Sequence, residues 1–128
     1  MKSVIVKQVY AVGMHHSGVR QLDVGPIYYC GKEEGNPKDP NAIAVYEDKN
    51  LRHRVCCLRR EDAAKLKDIV IYAQGPYYLR AKFGPEKFSR FKGPQQNCNI
   101  GFKFNESDAT ALAAILNGAF IHTIFKEY

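Results

Sequence analysis

A chain of 128 residues with 19 Lys and Arg against 13 Asp and Glu, net charge +6, can bury one core without staples and is too small for several domains. It has no apolar run near the ~20 residues that cross a bilayer, and Met1-Lys2-Ser3-Val4-Ile5-Val6-Lys7 lacks the long apolar stretch of a signal peptide. It therefore reads as one soluble intracellular domain over 1–128, with no membrane association, nuclear in a eukaryote and cytoplasmic in a prokaryote.

In chain order, Val4, Val6, Gln8, Tyr10 and Val12 alternate with Ile5, Lys7, Val9, Ala11 and Gly13. Apolar residues fall on both faces, as in the first strand of a barrel. Further short strands are predicted over residues 26–31, 42–46, 52–58, 77–83 and 99–104, separated by Gly, Pro, Asn and Asp turns. A helix is predicted over 61–70, where Ala64, Leu66, Ile69 and Val70 share a side and Glu61 and Asp62 sit near the positive N-terminus. A second is predicted over 106–117, with Asn105 as N-cap, Ala109, Leu112, Ala113 and Leu116 at helical spacing, and Gly118 as its stop. Residues 84–98 are the longest irregular piece. The apolar tail 119–125 is either a last strand or a dimer contact, and the oligomeric state stays open. About six strands and two helices suggest a mostly β fold, a small OB-like barrel that leaves few exposed edges.

The four cysteines, Cys30, Cys56, Cys57 and Cys98, include no C-x-x-C pair. Tetrahedral sulfur is not pre-organised, and the expectation is free, mostly buried thiols with no metal and no cofactor. Charge is segregated. Residues 1–50 hold six basic and six acidic side chains, 51–103 hold twelve and four, and 104–128 hold one and three. A basic block of this kind fits a polyanion-binding face; the alternative is an ordinary solvated lysine-rich surface. Within the block, Arg80, Lys82, Lys87, Arg90 and Lys92 interleave with Phe83, Phe88 and Phe91. That composition is expected where bases stack and phosphates are neutralised. Alternatively, Phe83 and Phe88 close the end of the barrel while the lysines face water.

The densest turn is Gly35-Asn36-Pro37-Lys38-Asp39-Pro40-Asn41, which runs straight into Ala42-Ile43-Ala44-Val45. Its prolines fix backbone angles, and its Asn and Asp side chains offer local hydrogen bonds. Such a turn either holds a barrel together or holds a ligand.

Residues 36–45 resemble the Asn-Pro-x-Asp-x-Asn-Ala-Ile-x-Val signature of HIRAN domains. Val12-Gly13-Met14-His15-His16-Ser17-Gly18-Val19 is similar to that family's first strand and turn. Val55-Cys56-Cys57-Leu58-Arg59-Arg60-Glu61, with Ala63, Ala64 and Leu66, resembles its strand-to-helix passage. The likeness spans about residues 5 to 84. It implies an OB-like barrel whose groove, beside the first turn and the Asn-Pro-x-Asp loop, captures the 3′ end of single-stranded DNA in repair or replication-fork processing. The chain carries no motor, so a separate helicase or repair enzyme is the implied partner.

By the same resemblance, Asp39 accepts a hydrogen bond from a free 3′ hydroxyl. A carboxylate in a phosphate-binding groove repels the polymer except at the one place without a phosphate. From the residues alone, Asp39 serves equally as the acceptor of an Asx turn. Asn36 bonds the terminal nucleotide or, preceding Pro37, shapes the loop; Asn41 reads as a turn residue. Arg59 and Arg60 stand where a phosphate meets both a guanidinium and a helix N-terminus, or form a solvated pair. His15 and His16 replace the family's tyrosines, Lys38 replaces a further tyrosine, and Cys56-Cys57 replaces Gly-His. Affinity here is thus expected to lean on charge more than on stacking.

Catalysis finds little support. His15, His16, His53 and His122 are available as bases, but no signature sets a thiol at a helix N-terminus, and carboxylates are few in the basic centre. The chain reads as a non-catalytic single-stranded DNA-binding module. Its rivals are a protein-interaction module docking an acidic peptide and a nonspecific single-strand binder.

Overall fold

The computed structural model describes all residues except 15–20, 34–38, 85, 90–92, 118–119 and 127–128, and only the backbone of 86–89, 93–94, 121 and 123–126. The first strand, β1 (Lys2–Val12), is followed by β2 (Tyr28–Lys32), β3 (Ile43–Tyr46) and β4 (Arg54–Leu58). Next come α1 (Arg60–Val70), β5 (Tyr77–Ala81), β6 (Glu86–Ser89) and β7 (Gly93–Phe104). A 3-10 turn (Glu106–Asp108), α2 (Ala109–Leu116) and β8 (Ile121–Lys126) complete the order. Six strands close an antiparallel ring in the order β1-β7-β5-β2-β3-β4 and back to β1, while β6 and β8 pair onto β7 and β1. The fold is the predicted mostly β barrel with two helices.

β1 makes the closure possible. One of its edges pairs with β7 along most of its length; the other pairs with β8 over residues 2–7 and with β4 at Ala11 and Val12. The change of neighbour coincides with a bulge. Val6 faces Ile100 while Val9 faces Cys98, so β1 carries one extra residue there, and Gln8 adopts a left-handed φ of 63°. A bulge bends the strand and increases its twist. It also flips the side-chain alternation, so Val4 and Val6 point inward before it and Val9 and Ala11 after it. The predicted uninterrupted alternation is corrected accordingly: Tyr10 and Val12 share the outer side with Ile5, not the inner side with Val4 and Val6.

Inside the ring, the β1 valines meet Cys30, Val45, Cys56, Leu58, Leu79, Cys98, Ile100 and Phe102, all buried. Ala63, Leu66 and Ile69 of α1 join the same core, as do Leu112 and Leu116 of α2. Each large side chain removed from water contributes about 1.5–3 kcal/mol. Ala64, predicted on the buried side of the first helix, is exposed, and Ala63 takes that place.

Other boundaries also move for local reasons. Residues 52–53 form a turn rather than strand, because the Asp48 carboxylate accepts the N–H of Arg52 at 3.0 Å and of His53 at 2.8 Å. The segment 84–98, predicted irregular, holds β6 and the first half of β7, in which Gln95, Gln96 and Asn97 pair with Val12, Ala11 and Tyr10. The predicted second helix opens as the 3-10 turn. Asn105 has the extended backbone of an N-cap (φ −70°, ψ 137°) but makes no side-chain capping bond. Gly118 lies outside the described residues. The apolar tail forms β8, realising the last-strand alternative.

Candidate nucleic-acid interface

The barrel closes where the end of β4 meets the end of β1, with Cys57 facing Val12 and Leu58 facing Ala11. The chain then turns into α1, and the Arg59 N–H donates to the Tyr10 carbonyl at 2.7 Å. At this seam the Arg59 guanidinium is drawn into a local clamp. Its Nη2 donates to Asp62 Oδ1 at 3.0 Å, its Nε lies 3.3 Å from Glu61 Oε2 without hydrogen-bond geometry, and its plane sits 4.6 Å above the Tyr10 ring. Asp62 is only 2% exposed, and its second oxygen accepts the Tyr10 N–H at 2.9 Å. Asp62 therefore binds strand to helix and satisfies two groups at once. Arg59 belongs to that clamp rather than to a solvated pair, and the exposed cation at the positive end of α1 is Arg60.

Asp39 lies in the connection between β2 and β3, whose base is tied by the Glu33 N–H donating to the Ala42 carbonyl at 2.8 Å. Asp39 is half-buried. Its Oδ1 accepts the N–H of Asn41 at 3.2 Å and its carbonyl accepts the N–H of Ala42 at 3.2 Å, an Asx turn leading into β3. A carboxylate has about four acceptor sites, so one such bond does not exhaust it. Asp39 also lies near the seam. Burial pushes the Cys57 thiol up, Arg54 opposes the rise, and the Glu33 and Asp39 carboxylates add to it. Cys57 donates a long S–H bond to the Val12 carbonyl at 3.8 Å.

Arg80 and Lys82 stand elsewhere. Arg80 is on the outer face of β5 opposite Asn99, and the Lys82 N–H just beyond the strand donates to the Asn97 carbonyl at 3.0 Å. Both line a groove of about 410 Å³ that runs over β1, β7 and β5, together with Ile5, Tyr78, Asn99 and Gly101. The register sets Ile5, Gly101, Tyr78, Tyr29 and Tyr46 in one row across the sheet. The Tyr29 and Tyr78 rings meet edge to face at 5.9 Å. Gly101 makes the hollow: a Cβ there would stand 3.3 Å from the Val4 carbonyl oxygen and 3.5 Å from Ile5.

A HIRAN domain family model matches residues 6–105. The chain belongs to the HIRAN family. Its fold is similar to the crystal structure of the HIRAN domain of human HLTF, with a TM-score of 0.65 and 19% sequence identity over 91% of this chain and 90% of that one. No curated protein sequence matches it. The family match takes in the ring from the middle of β1 onward, so in this HIRAN domain the start of β1, the 3-10 turn, α2 and β8 lie outside it.

Of the predicted site residues, the HIRAN barrel brings the Asp39 turn and the start of α1, with Arg59 and Arg60, to the closing seam. It places Arg80 and Lys82 on a separate face. His15, His16, Asn36, Lys38, Arg90 and Lys92 lie outside the described residues, and Lys87 is described only as backbone of β6. Asn99, which lines the groove, was not singled out by sequence reasoning. The period-two run Tyr78-x-Arg80-x-Lys82 was the available signal, once β5 is known to expose that side. Inside the barrel, burial pushes the Cys30 and Cys56 thiols far up and raises Cys98 to about 12. Among the described residues no cluster of His, Cys, Asp and Glu could hold a metal ion, and no helix is long and apolar enough to cross a membrane.

Proposed function

We propose that this HIRAN domain is a non-catalytic module that binds single-stranded DNA and recognises its 3′ end, inside the cell, in repair or replication-fork processing alongside a separate helicase or repair enzyme. The observation that carries this reading is that Asp39, whose carboxylate helps raise the Cys57 thiol, and α1, which starts two residues after β4, both adjoin the β1–β4 seam. Arg60 and the positive helix end favour a phosphate, while the Asp39 carboxylate penalises one. A strand that ends there satisfies both, with its last phosphate toward Arg60 and its free hydroxyl donating to Asp39. An internal position would set a phosphate against the carboxylate.

The test uses matched oligonucleotides ending in a 3′ hydroxyl or a 3′ phosphate, titrated against the full chain and its Asp39→Asn variant. Asparagine keeps an oxygen for the Asx bond to Asn41 and removes the charge, so the turn is preserved. The wild type is expected to bind the 3′ phosphate about tenfold more weakly, and Asp39→Asn to lose most of that difference, as one charge-assisted contact is exchanged for one repulsion. Equal affinity of the wild type for both ends would reduce the protein to a nonspecific electrostatic binder.

A further inference from the structure

We infer that the groove over β1, β7 and β5 is a second contact surface for the same single strand, taking internal nucleotides that lead away from the terminal one; the inference rests on the nucleic-acid reading above. Charge comes first. Arg80 and Lys82 line the groove and no carboxylate does, and among the described residues neither cation pairs with an acid. The ligand is therefore anionic.

Shape and chemistry then narrow its class. Gly101 leaves a hollow floored by Ile5 and walled by Tyr78, and Tyr78 is braced edge-on by Tyr29. A half-buried ring held by a second ring beside an apolar hollow suits a planar ligand group. The Asn99 amide opposite Arg80 supplies both a donor and an acceptor to the edge of such a group. Flat rings joined by anions describe an unpaired polynucleotide: bases in a duplex present only their edges, and an acidic peptide has no ring to stack.

Spacing agrees with a polymer. Tyr78, Arg80 and Lys82 follow one another on the same side at about 6.6 Å intervals, the reach of one nucleotide in an extended strand. The track is also continuous with the seam. Along the outer side of β7, positions 95, 97, 99 and 101 run from the level of Val12 and Cys57 to the groove, a path of about 20 Å. Tyr10, with Arg59 stacked on it, borders this path beside Asn97. A strand anchored at Asp39 and Arg60 thus reaches the groove within a few nucleotides.

The experiment measures affinity of the full chain for oligothymidylates of about 3 and about 8 nucleotides, lengths below and within the range one OB-type barrel covers, by fluorescence anisotropy over a salt series. The wild type is expected to gain about tenfold or more from the longer strand. Tyr78→Ala is expected to lose most of that gain, and Arg80→Gln to lower the log-log salt slope for the long oligonucleotide by about 0.7, one phosphate on a single strand. A folding defect would not shift that slope selectively.

Retention of the full length-dependent gain in both variants overturns the inference, as does polyglutamate displacing the long oligonucleotide from wild type and Tyr78→Ala equally. The two proposals fail separately. Loss of the length gain in Tyr78→Ala supports the groove even if wild-type affinity is blind to the 3′ end, whereas preserved 3′-end discrimination with no length gain supports the seam and removes the groove.

Discussion

Gln96 is wholly buried, yet all its polar atoms are used. Its Oε1 accepts the Leu22 N–H at 2.8 Å, and its Nε2 donates to the Leu22 and Phe83 carbonyls, both at 2.9 Å. Leu22 follows the segment carrying His15 and His16, and Phe83 precedes the one carrying Lys87, Arg90 and Lys92. One side chain therefore roots both binding-candidate segments on β7. Gln96→Leu fills similar space but leaves the Leu22 N–H and carbonyl unpaired in the core, at an expected cost of about 3 kcal/mol, read as a lower urea midpoint with an unchanged m-value. A loss within experimental scatter would mean the Leu22 backbone finds other partners. The Arg59 and Asp62 pair follows the same logic: a cation that the family resemblance set at a phosphate position also holds β1 to α1.

At the scale of elements, the bulge in β1 decides which residues line the core. Gln8 holds a left-handed conformation that costs an L-residue about 1–2 kcal/mol and that β-branched side chains tolerate least. Gln8→Gly is accordingly expected to be near neutral, strain relief being offset by the greater freedom of the unfolded chain. Gln8→Val is expected to destabilise by about 1–2 kcal/mol. Deleting residue 8 removes the extra residue, so a strict alternation keeps Val9 and Ala11 inward and the variant is expected to retain its folded near-ultraviolet circular dichroism; loss of that signal would show that the barrel needs the bend and twist that the bulge supplies.

The same element shows how far the sequence could be read. Strands with β-branched runs, such as Ile43–Tyr46, and the helix with apolar residues at helical spacing were legible because each carries its own periodicity. The first half of β7, Gly93-Pro94-Gln95-Gln96-Asn97, was not, since it is strand only through pairing with β1. The bulge was equally hidden, because Val4, Val6, Tyr10 and Val12 alternate perfectly well without it. For the site, the Asn-Pro-x-Asp turn announced Asp39, whereas the groove needs the register of three strands that are distant in sequence.

On the scale of the whole molecule, formal charge overstates what a polyanion meets. Arg59 is held by Asp62 and Glu61, and Arg54 by Glu33; the exposed cations at the two proposed contact surfaces are Arg60 at the seam and Arg80 and Lys82 along the groove. With three or four phosphates neutralised, affinity for a long single strand is expected to fall with a log-log salt slope of about −2 to −3. A slope near zero with tight binding to an acidic peptide would favour protein docking instead.

The barrel interior makes a further demand on the molecule as a whole, because it encloses Cys30, Cys56 and Cys98 away from water. Burial raises the Cys98 thiol from 9.0 to about 12, and shifts Cys30 and Cys56 in the same direction. In the unfolded chain these thiols release their protons as pH passes about 9, while the folded barrel keeps them. The unfolded state then binds fewer protons, so stability is complete below that pH and declines as pH rises toward the folded values. Each retained proton steepens the decline by about 1.4 kcal/mol per pH unit. Urea unfolding at pH 8, 9, 10 and 11 is expected to show a plateau followed by a steep loss. Cys98→Ala removes one of the four thiol titrations that burial raises, Cys57 being the fourth; it starts from a lower plateau because of the cavity it leaves, but its alkaline slope is expected to be about a quarter shallower. Parallel slopes for the two proteins would mean that Cys98 ionises as readily folded as unfolded, which is incompatible with a dry barrel interior.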